Sequence, residues 1–85
     1  MISRQSFKQK LDDEHNFPTE YLFKFIVPKD KEQEMYDIFS KSTYVIKPSS
    51  GGNYLSFTAR VQMQSSDDVI TIYERAYTIE GIISL

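Results

Sequence analysis

The chain has 85 residues, enough for one domain with a single thin core. Ten basic and twelve acidic residues leave a formal charge of −2, without the basic excess from which nucleic-acid domains draw most of their affinity. The absence of cysteine excludes disulfides, thiolate chemistry and Cys-ligated metals, and an aromatic content of 14% argues against disorder.

Residues 1–16 are polar and charged and read as a tail or a short helix. In the helical reading, Phe7 and Leu11 share one face of a helix over 3–13, capped by Ser3 or Ser6. No apolar run suits a signal peptide, and none reaches the roughly 18 residues of a membrane span. A cytoplasmic protein with no membrane partner is expected, its folded domain covering 17–85.

Residues 19–27 alternate Tyr21, Phe23, Phe25 and Val27 against Leu22, Lys24 and Ile26. That period of two predicts a strand, and apolar residues on both faces suit a central one. Asp30 is expected to cap a helix with Gln33 at the reciprocal position of a capping box. Met35, Ile38 and Phe39 would form its buried face, with its end near Lys41. Thr43–Lys47 is β-branched and aromatic and predicts a second strand. Pro48 donates no backbone hydrogen bond, so this strand belongs at a sheet edge. The run Pro48–Asn53 is a turn signal. Leu55, Phe57, Ala59, Val61 and Met63 then alternate with Ser56, Thr58, Arg60 and Gln62, a third strand with one core face and one polar face. Ser65 or Ser66 caps a further helix with Asp67 and Asp68 in its first turn and Val69, Ile72, Tyr73 and Ala76 as its stripe. Gly81 supplies a turn before a last strand at 82–85.

The predicted order is β-α-β-β-α-β. The expected fold is α+β and ferredoxin-like: a split βαβ with a four-stranded antiparallel sheet and two helices on one face. A short N-terminal helix would be an addition to it.

The segment Lys47-Pro48-Ser49-Ser50-Gly51-Gly52-Asn53-Tyr54 resembles the signature of the YbeD-like family, small bacterial proteins of unassigned biochemistry. Phe17-Pro18 also matches that family's pair before the first strand, and the resemblance runs over about residues 17–85. The family is similar in fold to ACT-type regulatory domains, which implies a regulatory or ligand-sensing role. Two positions depart from these patterns. Gly51 stands where the family carries a basic residue, and the loop Pro28–Lys31 lacks the glycine that ACT domains use to admit a ligand.

The first candidate ligand site is the hairpin of Lys47, Ser49, Ser50, Gly51, Gly52, Asn53 and Tyr54. Successive N–H groups there would form an anion-binding nest beside the Lys47 charge. The structural alternative is that the glycines supply the positive φ of a turn, and the serines satisfy its backbone. The second candidate is the polar sheet face, with Lys24, Tyr44 and Arg60 as interaction residues beside Tyr54, Thr58, Gln62 and Ile46. RNA-recognition modules stack bases on such a face, but this chain lacks their Lys/Arg-Gly-Phe-Gly-Phe run. Third, Asp12, Asp13, Glu14 and His15 pair carboxylates with an imidazole, although four consecutive residues read better as a solvated charge run than as a metal site.

No catalytic set is apparent. His15 is the chain's one histidine and would have to serve as base to any serine nucleophile. No phosphate-binding or dinucleotide fingerprint occurs, and the first strand is not followed by an arginine-bearing phosphate loop. The expectation is a non-catalytic binding or regulatory module without a cofactor. Its partner would be a small molecule or a protein, with self-association into a homodimer a further reading. The alternative is an RNA-binding adaptor using the polar sheet face.

Overall fold

A computed structural model describes residues 3–40, 43–49 and 51–85. The expected helix end near Lys41 and the candidate ligand residue Ser50 lie outside the described residues.

The chain enters through helix α1, Arg4–Glu14, capped by the Ser3 hydroxyl, which accepts from the Ser6 N–H. After the cis Phe17–Pro18 bond comes strand β1, Thr19–Pro28. A 3₁₀ turn over Lys29–Lys31 leads into helix α2, Glu32–Phe39. Strands β2, Thr43–Pro48, and β3, Tyr54–Met63, form the central hairpin. Helix α3, Ser66–Ala76, and a short β4, Ile83–Ser84, complete the fold.

The four strands lie in the order β2-β3-β1-β4, and all three neighbouring pairs are antiparallel. The fold is α+β and fits the ferredoxin-like arrangement. Its element order differs from the expected one in two respects: α1 precedes the first strand, and the 3₁₀ turn stands before α2. As Pro48 requires, β2 is an edge strand.

The expected Asp30 cap does not form. Asp30 lies inside the 3₁₀ turn, α2 begins two residues later behind Lys31, and that N-cap makes no side-chain hydrogen bond. Gln33 donates instead to Asp37, one turn ahead. Pro28 ends β1 with φ −57° and ψ 142°, and the chain must turn at once to bring α2 back over the sheet. The tight turn uses the residues that a capping box would have needed.

The core is aromatic. Phe23, Phe25, Val27, Met35, Phe39, Phe57, Ala59, Val69 and Ala76 are fully buried between the sheet and the helices. On α3 the buried stripe is Val69, Ile70, Tyr73 and Ala76, while Ile72 is half-buried, so the helix is rotated relative to the expected stripe. Ser65 rather than Ser66 caps α3, accepting from the Asp68 N–H.

Helix α1 is part of this body. Leu11 is buried, and the Phe7 ring lies 5.4 Å from that of Tyr73. Arg4 pairs with Glu74 at 2.6 Å, while Lys8 reaches Asp67 and the buried Ser66 hydroxyl at 3.3 and 2.8 Å. Each helix sets an aromatic ring against core residues, Phe7 of α1 on Tyr73, Phe39 of α2 on Phe23 and Tyr73 of α3 on Phe23. The three helices therefore share one side of the sheet, and the other side carries no helix among the described residues.

Candidate functional site

Strand register decides which residues lie on the uncovered side. In β3, Leu55, Phe57 and Ala59 are buried, so the intervening Tyr54, Ser56, Thr58, Arg60 and Gln62 face outward. Opposite residues in a sheet share a face. On β1, Lys24 is opposite Thr58, Leu22 opposite Arg60, Ile26 opposite Ser56 and Glu20 opposite Gln62. On β2, Val45 is opposite Thr58, Lys47 opposite Ser56 and Thr43 opposite Arg60. On β4, Ile83 is opposite Ile26. Leu85 follows Ile83 by alternation, with its N–H donating to the Lys24 carbonyl at 3.0 Å.

Two of the expected sheet-face residues lie on this side. Lys24 and Arg60 are both exposed on the open side, and Arg60 forms an exposed pair with Glu20 at 3.5 Å. The third, Tyr44, does not. It is opposite Ala59, and its neighbour Ile46 is opposite Phe57, so both point to the helix side. The Tyr44 ring stacks on Phe57 at 5.0 Å and lies 5.5 Å from Tyr36. The hairpin closes through the Ser49 N–H to the Tyr54 carbonyl, which opposes Pro48 to Leu55 and fixes the parity of the whole strand. Tyr44 is a core-edge residue, and Val45 and Lys47 take the outward positions.

The hairpin spends much of its donor capacity on itself. The Ser49 N–H goes to Tyr54, the Gly52 N–H to the Ser49 carbonyl, and the Tyr54 N–H to the Ser49 hydroxyl. The Asn53 carbonyl accepts from the Lys29 N–H, tying the turn to the end of β1. Gly52 has φ +75°, which a turn requires of it; Gly51 is not in that region. Three of the N–H groups that a nest would aim at an anion are thus engaged within the turn. Lys47 extends from β2 onto the open sheet face.

The Asp12–His15 run disperses. Asp12 pairs with Lys8 at 3.6 Å, Asp13 accepts from Gln9, and the His15 ring packs against Tyr21 at 5.2 Å. Among the described residues no group of three His, Cys, Asp or Glu side chains is placed to hold a metal ion.

Two tyrosines have shifted acidities on the helix side. The Tyr36 hydroxyl donates to Glu32, and that bond to a carboxylate pushes its pKa up to about 12. Burial, then the 3.2 Å contact with the Tyr21 hydroxyl, raises that of Tyr73. Both shifts hold the neutral phenol, so neither prepares a base at neutral pH.

The open face therefore combines two kinds of residue. Leu22, Val45, Ile83 and Leu85 are 40–69% exposed, with Ile26 half-buried among them. Lys24, Lys47 and Arg60 stand beside them, and Glu20 is the one acidic residue that the register places on this side. Tyr54 closes the β3 end of the face, 45% exposed. Sequence reading missed the aliphatic part. Leu22 and Ile26 were visible in the alternation of β1, but nothing local marked Val45, Ile83 or Leu85 as sharing their side.

Residues 12–84 match the family model described as a protein of unknown function, DUF493. The chain belongs to this family. It is the small bacterial family of unknown function that the Lys47–Tyr54 motif resembles. The DUF493 match takes in every strand together with α2 and α3, whereas most of α1 precedes it. No curated protein and no solved structure matches the chain.

Proposed function

We propose that this DUF493 domain is a non-catalytic protein-binding module whose docking surface is the open face of its sheet. One observation carries the reading. Four large aliphatic side chains stand exposed on a face that none of the helices covers, interleaved with three cations. Antiparallel sheets commonly present a solvated second face, but such a face alternates to polar residues. Here Leu22, Ile26, Ile83 and Leu85 gather on the β1–β4 half instead. An apolar patch with a polar rim is the usual composition of a docking site.

The chemistry of the candidate groups favours the non-catalytic reading. His15 is packed among aromatic rings, and the raised tyrosines favour their protonated forms. An ACT-like response to a small molecule draws no support from the Pro28–Lys31 loop, which is a 3₁₀ turn without glycine. RNA binding would use Lys24, Lys47, Arg60 and Tyr54. With Tyr44 turned inward, that face offers one aromatic platform at its end and aliphatic side chains over its β1–β4 half, a poor surface for stacking bases. No described helix is long and apolar enough to cross a membrane. A cysteine-free regulatory adaptor of this kind suits the cytoplasm.

The test is affinity capture from an extract of the protein's own cell, with wild type beside Leu22→Asp and Ile83→Asp. Loss of a captured polypeptide in both variants, with the fold retained by circular dichroism, is expected. Capture that survives both substitutions would refute the assignment. RNA captured in a salt-sensitive way and lost in Arg60→Ala would establish the adaptor reading in its place.

A further inference from the structure

We infer that the occupant of the open face is an amphipathic helix with acidic residues flanking its apolar stripe, supplied by a partner protein. This rests on the docking reading above and specifies the partner's chemistry. Charge points first to such a partner. The face carries Lys24, Lys47 and Arg60 against Glu20, on a chain whose formal net charge is −2. The helix side is correspondingly acidic, with Asp12, Asp13, Glu34, Asp37, Asp68 and Glu74 all exposed there. A chain that is acidic elsewhere and cationic on its one uncovered face is complementary to an acidic segment.

The arrangement of the side chains agrees. Ile83 and Ile26 are direct neighbours across β4 and β1, Leu22 lies four residues along β1 from Ile26, and Lys24 sits between them. The lysine stem adds apolar area there, and its ammonium can reach past the patch. Lys47 and Arg60 lie on the β2–β3 half around Val45, so the larger β1–β4 part of the aliphatic strip is flanked by cations along one side. The outer strands of a four-stranded sheet are roughly 14 Å apart at the usual spacing. One helix with side chains is about 10–12 Å across, enough to cover the aliphatic β1–β4 half and reach β3. Sheets whose second face is apolar are ordinarily covered by a helical layer, and here that layer is missing from the described chain.

The same charges argue against a second copy of this chain. A two-fold sheet-to-sheet contact would enclose Lys24, Lys47 and Arg60 from both copies between the two sheets, with only one Glu20 per copy as counter-charge.

The experiment titrates the full chain, labelled for NMR, with three synthetic helical peptides. They share one leucine–isoleucine stripe and differ in flanks of Glu, Gln or Lys. The Glu peptide is expected to bind about tenfold more tightly than the Lys peptide at low salt, as three rim contacts change from attraction to repulsion. Shifts should fall at 22–26, 58–60 and 83–85, and the preference should invert in Lys24→Glu/Arg60→Glu. Equal binding of the Gln or Lys peptide on this face overturns the acidic partner and leaves the docking reading standing. If no peptide perturbs the face, the helical occupant is wrong; if capture is also unaffected by Ile83→Asp, so is the docking reading. A concentration-dependent dimer that Ile83→Asp disperses overturns the inference in favour of self-association.

Discussion

Exchanging each of two tyrosines for alanine tests the register that defines the site. Tyr44 and Tyr54 stand at opposite ends of one hairpin, and the structure gives them opposite faces. Tyr44 is half-buried, stacked on Phe57 and tilted against Tyr36. A fully buried large aromatic costs about 3–5 kcal/mol on truncation. Half burial removes part of that, and two ring contacts worth about 0.5–1.5 kcal/mol each restore some of it. Tyr44→Ala should therefore cost about 2–3 kcal/mol, lowering Tm by roughly 10–20 °C in a domain of this size. Tyr54 is 45% exposed and close to no other ring among the described residues, so Tyr54→Ala should cost about 1 kcal/mol or less. Urea unfolding of both variants beside wild type supplies the comparison. A neutral Tyr44→Ala would mean that β2 is paired one residue away from the Tyr44–Ala59 register, which would turn every β2 side chain to the other face, and a Tyr54→Ala that costs as much as Tyr44→Ala would mean that Tyr54 does not face outward.

Leu11→Ala should cost about 2–4 kcal/mol, because Leu11 is buried beneath α1, whereas Arg4→Ala should cost under about 1 kcal/mol because its ion pairs are exposed; thermal melts separate the two. Gly81→Ala should destabilise more than Gly52→Ala in chemical denaturation. Both have positive φ, but a Cβ at Gly81 would meet Pro28 Cγ at 2.8 Å while one at Gly52 meets open space. At alkaline pH, the raised Tyr36 and Tyr73 values make the native state hold protons that the unfolded chain releases near pH 10. Their contribution is full below pH 10 and is lost as pH rises through the folded values, about 12 for Tyr36. Ultraviolet titration should show two late-ionising phenols, one of which moves back toward pH 10 in Glu32→Gln.

The fold was largely legible because its evidence is periodic. The alternation in β1 and β3 set the core face, and Pro48 marked the edge strand before any pairing was known. Helix α1 was not, because Phe7 and Leu11 alone cannot distinguish a docked helix from a tail. What decides it is the packing against Tyr73 and the Asp67, Glu74 and Ser66 partners on α3, nearly 60 residues or more away. The site was half legible. Lys24 and Arg60 sit on the polar alternation of long strands. Tyr44 was misplaced because β2 is short and apolar on both sides, so its parity follows from where the turn closes, Ser49 against Tyr54. The aliphatic strip was invisible because it joins residues from three strands, and composition carries no record of which face a two-residue strand such as β4 presents.

The most direct test of the central claim is capture from cell extract with matched surface variants. Ile83→Asp changes the open face, and Glu74→Lys changes the helix side. Docking through the open face predicts a polypeptide retained by wild type and by Glu74→Lys and lost by Ile83→Asp. Retention by Ile83→Asp together with loss by Glu74→Lys would place the docking surface on the helices and contradict it.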